Sequence, residues 1–300
     1  MRILVTGCNG YIGSHVVKRL KQDGHNITGW DIDYHGESND VSRFLDQFQP
    51  LDVIDYSVHG EFDAVVHLAG LSIVPESIRY PFGYYRTNIF GTENIVNRVQ
   101  TDHILFASTS SAWEMASPYA RSKVAAEDVI KQFSKNYTIF RFFNVSGTDG
   151  QCKQLGEASH LIRVAAEVVA GHRSHLDIYG NDYNTPDGTC IRDYVHVMDL
   201  ADAIAESVTR GPANTDYECI GSNTGYSVLD VVNVMRRVSG HQLPIKFKPR
   251  RSGDAVRSVV DRLSTLVTLR RTIEDMCRDQ IVLEKKRART HYTSLEANTP

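Results

Sequence analysis

No apolar run in this chain approaches the ~20 residues that a membrane-spanning helix needs, so no membrane partner is expected. Charge of one sign is missing too. Lys and Arg number 33 against 36 Asp and Glu, a formal charge of −3. That balance leaves no footprint for nucleic acid and no pull to an anionic surface. The five cysteines (Cys8, Cys152, Cys190, Cys219, Cys277) are scattered, odd in number and without a CxxC pair. Neither a disulfide framework nor a zinc site is expected. The twelve histidines form no HExxH, and His172 with His175 reads as a solvated helix end, so no metal is expected. Internal repeats and low-complexity linkers are also lacking. The sequence opens directly on an apolar strand, which leaves no room for a signal peptide, and the expected location is cytoplasmic. With 300 residues, 41% of them hydrophobic, the chain can bury a substantial core in one large domain or two intimately joined ones.

What is present begins at the first strand. Arg2 to Thr6 is short, apolar and β-rich, and it leads into Gly7-Cys8-Asn9-Gly10-Tyr11-Ile12-Gly13. Ile12, Val16, Val17 and Leu20 then recur at helical spacing, with Gly24 as a stop. A second apolar run, Ile27 to Trp30, ends on Asp31. Each part suits a dinucleotide. Gly7 permits a tight turn, Gly10 lets backbone N–H groups approach a pyrophosphate, and Gly13 lets the helix pack closely on the strand. The helix N-terminus supplies unpaired donors and positive potential. Asp31 would accept the adenosine ribose hydroxyls, which favours NAD over NADP, and Asp33 would repel a 2′-phosphate. Cys8 reads as a small residue of the turn.

Strands and helices alternate through the first half, which predicts a doubly wound parallel sheet, an α/β fold of Rossmann type. Val41 to Phe48 reads as a short helix and Leu51 to Ile54 as a strand. Ala64 to Leu68 is a buried strand ending at Ala69-Gly70, small enough for a cofactor to approach. A helix is predicted from Tyr84 to Val99, a strand from Ile104 to Ala107, and a helix from Pro118 to Phe133. The apolar stripe of the last is read as Val124, Ala125, Val129, Ile130 and Phe133. Thr138 to Phe143 is another strand. Asp31, Gly70, Thr109 and Asn144 all fall at carboxyl ends of strands, where such sheets bind ligands. In the second half, helices are read at 161–170, 200–208 and 228–238, strands at 191–197 and 217–220, and a turn-rich stretch at 180–188. The tail beyond Lys285 is read as frayed.

Tyr119 and Lys123 stand at i and i+4 on a helix, hence on one face. A free tyrosine titrates near pH 10. An adjacent ammonium and a cationic nicotinamide both favour phenolate, so Tyr119 could serve as a base. Lys123 would also reach the nicotinamide ribose. Thr109 can bridge a substrate hydroxyl and the Tyr119 oxygen, with Ser108 and Ser110 as rivals.

These blocks resemble the extended short-chain dehydrogenase/reductase superfamily and, within it, the UDP-glucose 4-epimerases. The likeness runs from Met1 to about Asp261, with gaps. Gly7–Gly13, Tyr119 with Lys123, and Arg141-Phe142-Phe143-Asn144 are superfamily features. Gly180-Asn181-Asp182-Tyr183, Pro186-Asp187-Gly188-Thr189, the stretch Arg192 to Ala201, and Pro249-Arg250-Arg251-Ser252-Gly253-Asp254 look like the epimerase pattern. The resemblance implies a cofactor domain, 1–145 plus about 193–222. It implies a smaller α/β sugar-nucleotide domain, 146–192 plus 223–285, with 286–300 as a tail. It implies NAD-dependent 4-epimerisation of a UDP-hexose through a 4-keto intermediate.

It also assigns residues. Thr109, Tyr119 and Lys123 would be catalytic. Gly7, Gly10, Tyr11, Ile12, Gly13, Asp31, Asp52, Val53, Leu68, Ala69, Gly70, Asn88, Tyr119, Lys123 and Phe143 would hold NAD. Thr109, Asn144, His160, Leu161, Arg192, Arg251, Asp254 and Ser258 would hold the UDP-sugar. Arginines suit a diphosphate as permanently charged forks, and Asp254 can accept ribose hydroxyls. The competing role for Arg192 is a structural ion pair with Asp193 or Asp199. A small residue at Ser258 implies room for a 2-acetamido group, hence N-acetyl sugars as well.

This sequence departs from the epimerase pattern in several places. Ser72 stands where a lysine is usual, and His160 where an asparagine is usual. Trp113-Glu114 replaces Tyr-Gly, the loop from Glu114 to Ser117 is shortened, and the region after Asp261 is trimmed. Ser110-Ser111 after Thr109 argues against a 4,6-dehydratase, which carries an acidic pair there. A UDP-uronate epimerase and a non-catalytic NAD-binding relative are the remaining rivals. Homodimerisation through the helices near 84–99 and 118–133 is implied by the resemblance, although their outer faces read as mostly polar.

Overall fold

The computed structural model describes residues 1–32, 38–251 and 253–296; Asp33 and Ser252 lie outside the described residues. Seven strands form one parallel sheet in the spatial order Glu218–Ile220, Tyr137–Phe142, Ile104–Thr109, Ala64–His67, Arg2–Thr6, Asn26–Asp31, Gln47–Pro50. The chain starts in the interior at Arg2–Thr6, builds outward to one side, then returns to build the other. The strand order therefore reverses between Arg2–Thr6 and Ala64–His67, and a crevice opens there at the carboxyl ends.

Both faces are covered, which is why the strands read as continuous apolar runs. Side chains alternate across the sheet. Ile3 and Val5 pack on one face with Val16, Leu20, Leu200 and Ile204. Leu4 packs on the other with Ile95, Phe106, Ile130 and Ile139. A second core gathers Ile162, Ala166, Leu176, Ile178, Val231, Met235 and Cys277. Between them lies a small sheet. Its strand Ile191–His196 pairs in parallel with Asn144–Ser146 and Arg257–Ser258, and antiparallel with Gly225–Ser227. Among the described residues, no helix is long and apolar enough to cross a membrane.

Five expectations need correction. The stretch 41–48 is not one helix: a single 3₁₀ turn, Ser42–Phe44, precedes the strand Gln47–Pro50, and 51–54 is a turn. This is an exposed edge strand, so it needs no apolar run and tolerates Pro50. The helix Pro118–Phe133 keeps its predicted bounds, but its buried face is Ala120, Ser122, Lys123, Ala126, Glu127 and Ile130. Phe133 is 62% exposed, because polar side chains are held inside. The helix expected over 84–99 is interrupted: a π turn, Arg86–Phe90, joins Pro81–Tyr85 to Gly91–Arg98. From Lys286 to Glu296 the chain is not frayed but part of a helix, Ile273–Glu296. Ile273, Met276, Cys277 and Ile281 seat that helix in the second core. Burying each such side chain contributes about 1.5–3 kcal/mol, ample to hold the first turns.

Candidate active site

The glycine turn leaves its strand sharply. Gly7 has φ +70°, and a Cβ on it would stand 2.9 Å from the Ala69 amide nitrogen. A Cβ on Gly13 would lie only 2.0 Å from the Gly7 carbonyl oxygen, so helix and turn are in backbone contact. The helix Tyr11–Gln22 starts at Gly10 with no side-chain cap. Its first-turn N–H groups, those of Tyr11, Ile12 and Gly13, are thus left for an anion. Asp31 closes the arrangement: its carboxylate accepts from the amides of Asn9 at 2.6 Å and Ile32 at 2.7 Å. The turn and Asp31 are one unit.

A cleft runs along these elements. Of the expected cofactor residues, Gly7, Gly10, Asp31, Asp52, Val53, Leu68, Ala69 and Gly70 line it. Ser72, noted for its departure from the usual lysine, lines it too, and the sequence reading missed Asn9, Trp30, Ile32, Ser38, Leu51, Leu71, Ile73, Glu76, Thr87 and Leu155. Most come from turns and short helices, where no periodicity marks an inward position. The Tyr11 side chain turns away, donating its hydroxyl to the Gly147 carbonyl at 2.6 Å. Asn88 stands in the π turn and clamps the far wall. Its carboxamide accepts from the Leu71 amide at 2.8 Å, and donates to the Leu71 carbonyl at 3.0 Å and the Ser122 hydroxyl at 2.9 Å. π turns are frequent where a helix must present a side chain to a site. Cys8 is fully buried, and burial pushes its thiol up to about 12, so it is inert.

The reactive residues adjoin this cleft at Gly70. A Cβ on Gly70 would stand 2.8 Å from Asn88 Oδ1 and 3.8 Å from Lys123 Nζ. Lys123 is buried, with its ammonium 4.2 Å from the centre of the Phe106 ring. Burial pulls its pKa down to about 7, against the opposing pull of Glu127. Tyr119 bonds Thr109, which eases its proton off, but burial acts more strongly and raises its pKa. The expected lowering by the neighbouring ammonium is therefore absent in the chain alone. The Tyr84 ring packs edge-on against Tyr119, centroids 6.3 Å apart, and the Tyr84 hydroxyl bonds the backbone of Ile73 and the carboxylate of Glu76. Ser108 is excluded as a rival to Thr109, because its hydroxyl donates to Glu127 inside the sheet.

Glu127 also receives Arg141 Nε at 2.9 Å and Nη2 at 2.7 Å. Removing one partner of such a buried pair costs about 3–5 kcal/mol. Phe143 packs against Trp113, ring centres 5.8 Å apart, and Trp113 Nε1 donates to the Tyr217 hydroxyl at 3.2 Å. These aromatics stand just past the carboxyl end of the Thr109 strand.

The expected substrate residues divide. Arg192 and Asp254 come together at 3.8 Å, so the ion pair foreseen with Asp193 or Asp199 is replaced by one with Asp254. The Arg192 guanidinium also donates to the carbonyls of Ile191 and Ala255. Asp193 instead accepts from Ser222, Asn223 and Val260, and Asp199 pairs with Arg271. Ser258 lies beside Arg192 in strand register and is half-buried. The Arg251 guanidinium stacks 3.7 Å from the Tyr179 ring centre. Asn144 donates its side-chain amide to the Asp193 carbonyl at 2.9 Å, which commits that group to the fold. His160 and Leu161 stand at the start of the helix Leu161–Val169, His160 exposed and not capping it. The shortened loop meets the Arg251–Asp254 segment, with Ala116 3.8 Å from where a Cβ on Gly253 would be.

With this geometry in view, the comparisons agree. The model of the NAD dependent epimerase/dehydratase family matches residues 3–219. The UDP-glucose 4-epimerase of Halalkalibacterium halodurans is 34% identical over 286 residues, 85% of either chain. The UDP-glucose-4-epimerase from Stenotrophomonas maltophila, solved with bound NAD and formylated UDP-arabinopyranose, superposes with a TM-score of 0.85 at 28% identity. That likeness covers 97% of this chain and 99% of the other. The enzyme from Bifidobacterium longum, in complex with NAD+ and UDP, gives 0.85 at 27% identity over 96% and 99%. Glycine turn, the acid held to it, the Tyr119 helix and the parallel sheet thus all point one way: the chain belongs to the NAD dependent epimerase/dehydratase family.

Proposed function

We propose that this protein is a UDP-hexose 4-epimerase that works with NAD, interconverting UDP-galactose and UDP-glucose and also their N-acetyl forms. One observation carries the reading: Lys123 Nζ and the Asn88 carboxamide flank Gly70 at the end of the dinucleotide cleft, so the Tyr119 helix adjoins that cleft. The residues fit the cofactor. A Cβ would fill the cradle at Gly7 and Gly13, the helix start is uncapped, and Asp31 is fixed to the turn. When bound, the nicotinamide supplies the hydride acceptor at sugar C4 and adds positive charge beside the phenol. Thr109 then orients the 4-hydroxyl, Tyr119 takes and later returns its proton, and Lys123 holds the ribose.

The sugar nucleotide lies against the small sheet. Arg192 and Arg251 hold the diphosphate, Asp254 the uridine ribose, and Ser258 borders the 2-substituent, with Asn144, His160 and Leu161 around the sugar. In this reading, 1–145 plus about 193–222 bind the cofactor, and 146–192 plus 223–285 bind the sugar nucleotide. The enzyme acts in the cytoplasm as a homodimer. Phe82, 84% exposed, and Phe133, 62% exposed, support that assembly, because a second copy would cover them.

The test is epimerisation of UDP-galactose and, separately, UDP-N-acetylgalactosamine without added NAD, with products separated by chromatography. Formation of both 4-epimers is expected. Absence of turnover even with added NAD would overturn the reading. Ser258→Tyr is expected to cut kcat/KM for the N-acetyl substrate at least tenfold more than for UDP-galactose. An equal loss on both would remove Ser258 from the pocket wall.

A further inference from the structure

Glu127 sits deeper than any group the reaction needs, at 1% exposure. It lies one helical turn beyond Lys123 and two beyond Tyr119, on the same face. Its carboxylate accepts both Arg141 donors and the Ser108 hydroxyl. Ser108 precedes Thr109 in its strand, and Arg141 stands opposite Ser108 on the next strand. Arg141 is itself capped by Tyr217, 3.9 Å from that ring centre. One carboxylate therefore ties the reactive helix to two neighbouring strands.

The groups facing Lys123 show what else the carboxylate does. From its own helix come Tyr119 and Glu127. From the strand Ala64–His67 comes His67, held neutral because burial pulls its pKa down to about 3. From the π turn comes Asn88, which is uncharged, and from the strand Ile104–Thr109 the Phe106 ring. Among the described residues, Glu127 is the anion acting on Lys123, and Arg141 is paired to it on the far side; a cation so placed must repel an ammonium as the carboxylate attracts it. A lysine this deeply buried otherwise sheds its proton.

We propose that Glu127 is a positioning residue: clamped by Arg141 and Ser108, it locks the Tyr119 helix onto the Thr109 strand and favours the ammonium form of Lys123. The catalytic consequence rests on the function proposed above; the charge of Lys123 does not. Glu127→Gln removes the anion and leaves the Arg141 cation, so both changes push the Lys123 midpoint down. Arg141→Gln removes the cation and leaves the anion, so it pushes the midpoint up. A merely structural pair would move both variants the same way or neither.

The experiment is an NMR pH titration of the full, unliganded chain labelled with ¹³Cε-lysine, with the Lys123 signal assigned by its loss in Lys123→Arg. A fall of about 1 pH unit is expected for Glu127→Gln and a rise for Arg141→Gln. Unchanged midpoints, or shifts of one sign in both variants, would overturn the proposal. If Glu127→Gln does not fold, the sign in Arg141→Gln decides alone. In turnover, the alkaline limb of kcat should move down in Glu127→Gln by the same amount. Opposite titration shifts in a chain that fails to epimerise would condemn the proposed reaction and leave the Glu127 assignment standing.

Discussion

Tyr119 holds its proton more tightly than a free tyrosine, because burial outweighs its bond to Thr109. The phenol must therefore wait for charge that arrives with ligands, which ties its basicity to an occupied site. Tyr119→Phe keeps the ring against Tyr84 and removes only the hydroxyl. It should lower kcat by about 10²–10⁴-fold while NADH affinity, read by fluorescence titration, stays within twofold. A parallel loss of NADH affinity would mean that the hydroxyl serves binding. At this scale the sequence was most legible where chemistry repeats with the helix: Tyr119 and Lys123 four apart, Thr109 at a strand end. It was least legible for Glu127. A carboxylate four residues after a lysine reads as a solvated surface pair, and only the strand carrying Arg141 turns it inward.

Among the elements, the glycine turn and its helix are fixed by contact rather than by hydrogen bonds alone. With Gly13 this close to the Gly7 carbonyl, any side chain must drive the helix off the strand. Gly13→Ala should weaken NAD binding about 100-fold by calorimetry, since a displacement near 1 Å in a positioned site costs that order. Binding at wild-type strength would mean that the turn does not seat the cofactor. The parallel strands and long helices were readable because burial on both faces writes them as apolar runs or 3.6-residue periods. The edge strand Gln47–Pro50 was not, for its residues are exposed and carry no such record. The helix Ile273–Glu296 was a different miss. Ile273, Met276, Cys277 and Ile281 do repeat at helical spacing, but charged residues between them hid the stripe.

Across the whole molecule, the two halves differ in how they record themselves. The main sheet uses strands of up to six residues, whereas Asn144–Ser146, Gly225–Ser227 and Arg257–Ser258 are two or three long. Alternation over so few residues is no signal, so of the small sheet only its six-residue strand Ile191–His196 was readable, and its partners are visible only once folded. The main-sheet half also stores a pH dependence. His15, His67 and His103 are each at most 4% exposed, and burial pulls them to about 4, 3 and 4. All three are therefore neutral in the native state, bonded to Tyr11 and Asp149, to Thr6 and Thr92, and to Thr138. In the unfolded chain each would titrate near 6.5. The folded value is the depressed one, so their contribution is full above pH 6.5. It is lost as pH falls towards 4, by about 1.4 kcal/mol per pH unit for each histidine. The part of the melting temperature that these histidines carry should hence be flat from pH 8 to 7 and fall steeply below 6, whereas Lys123, with its folded value near 7, acts above pH 7. His103→Gln, which keeps a partner for Thr138, should make that fall shallower. A melting temperature independent of pH down to 4.5, or a slope unchanged in the variant, would show that these histidines accept protons in the native state, and the buried Thr6–His67–Thr92 chain beside the cofactor turn would then have to open.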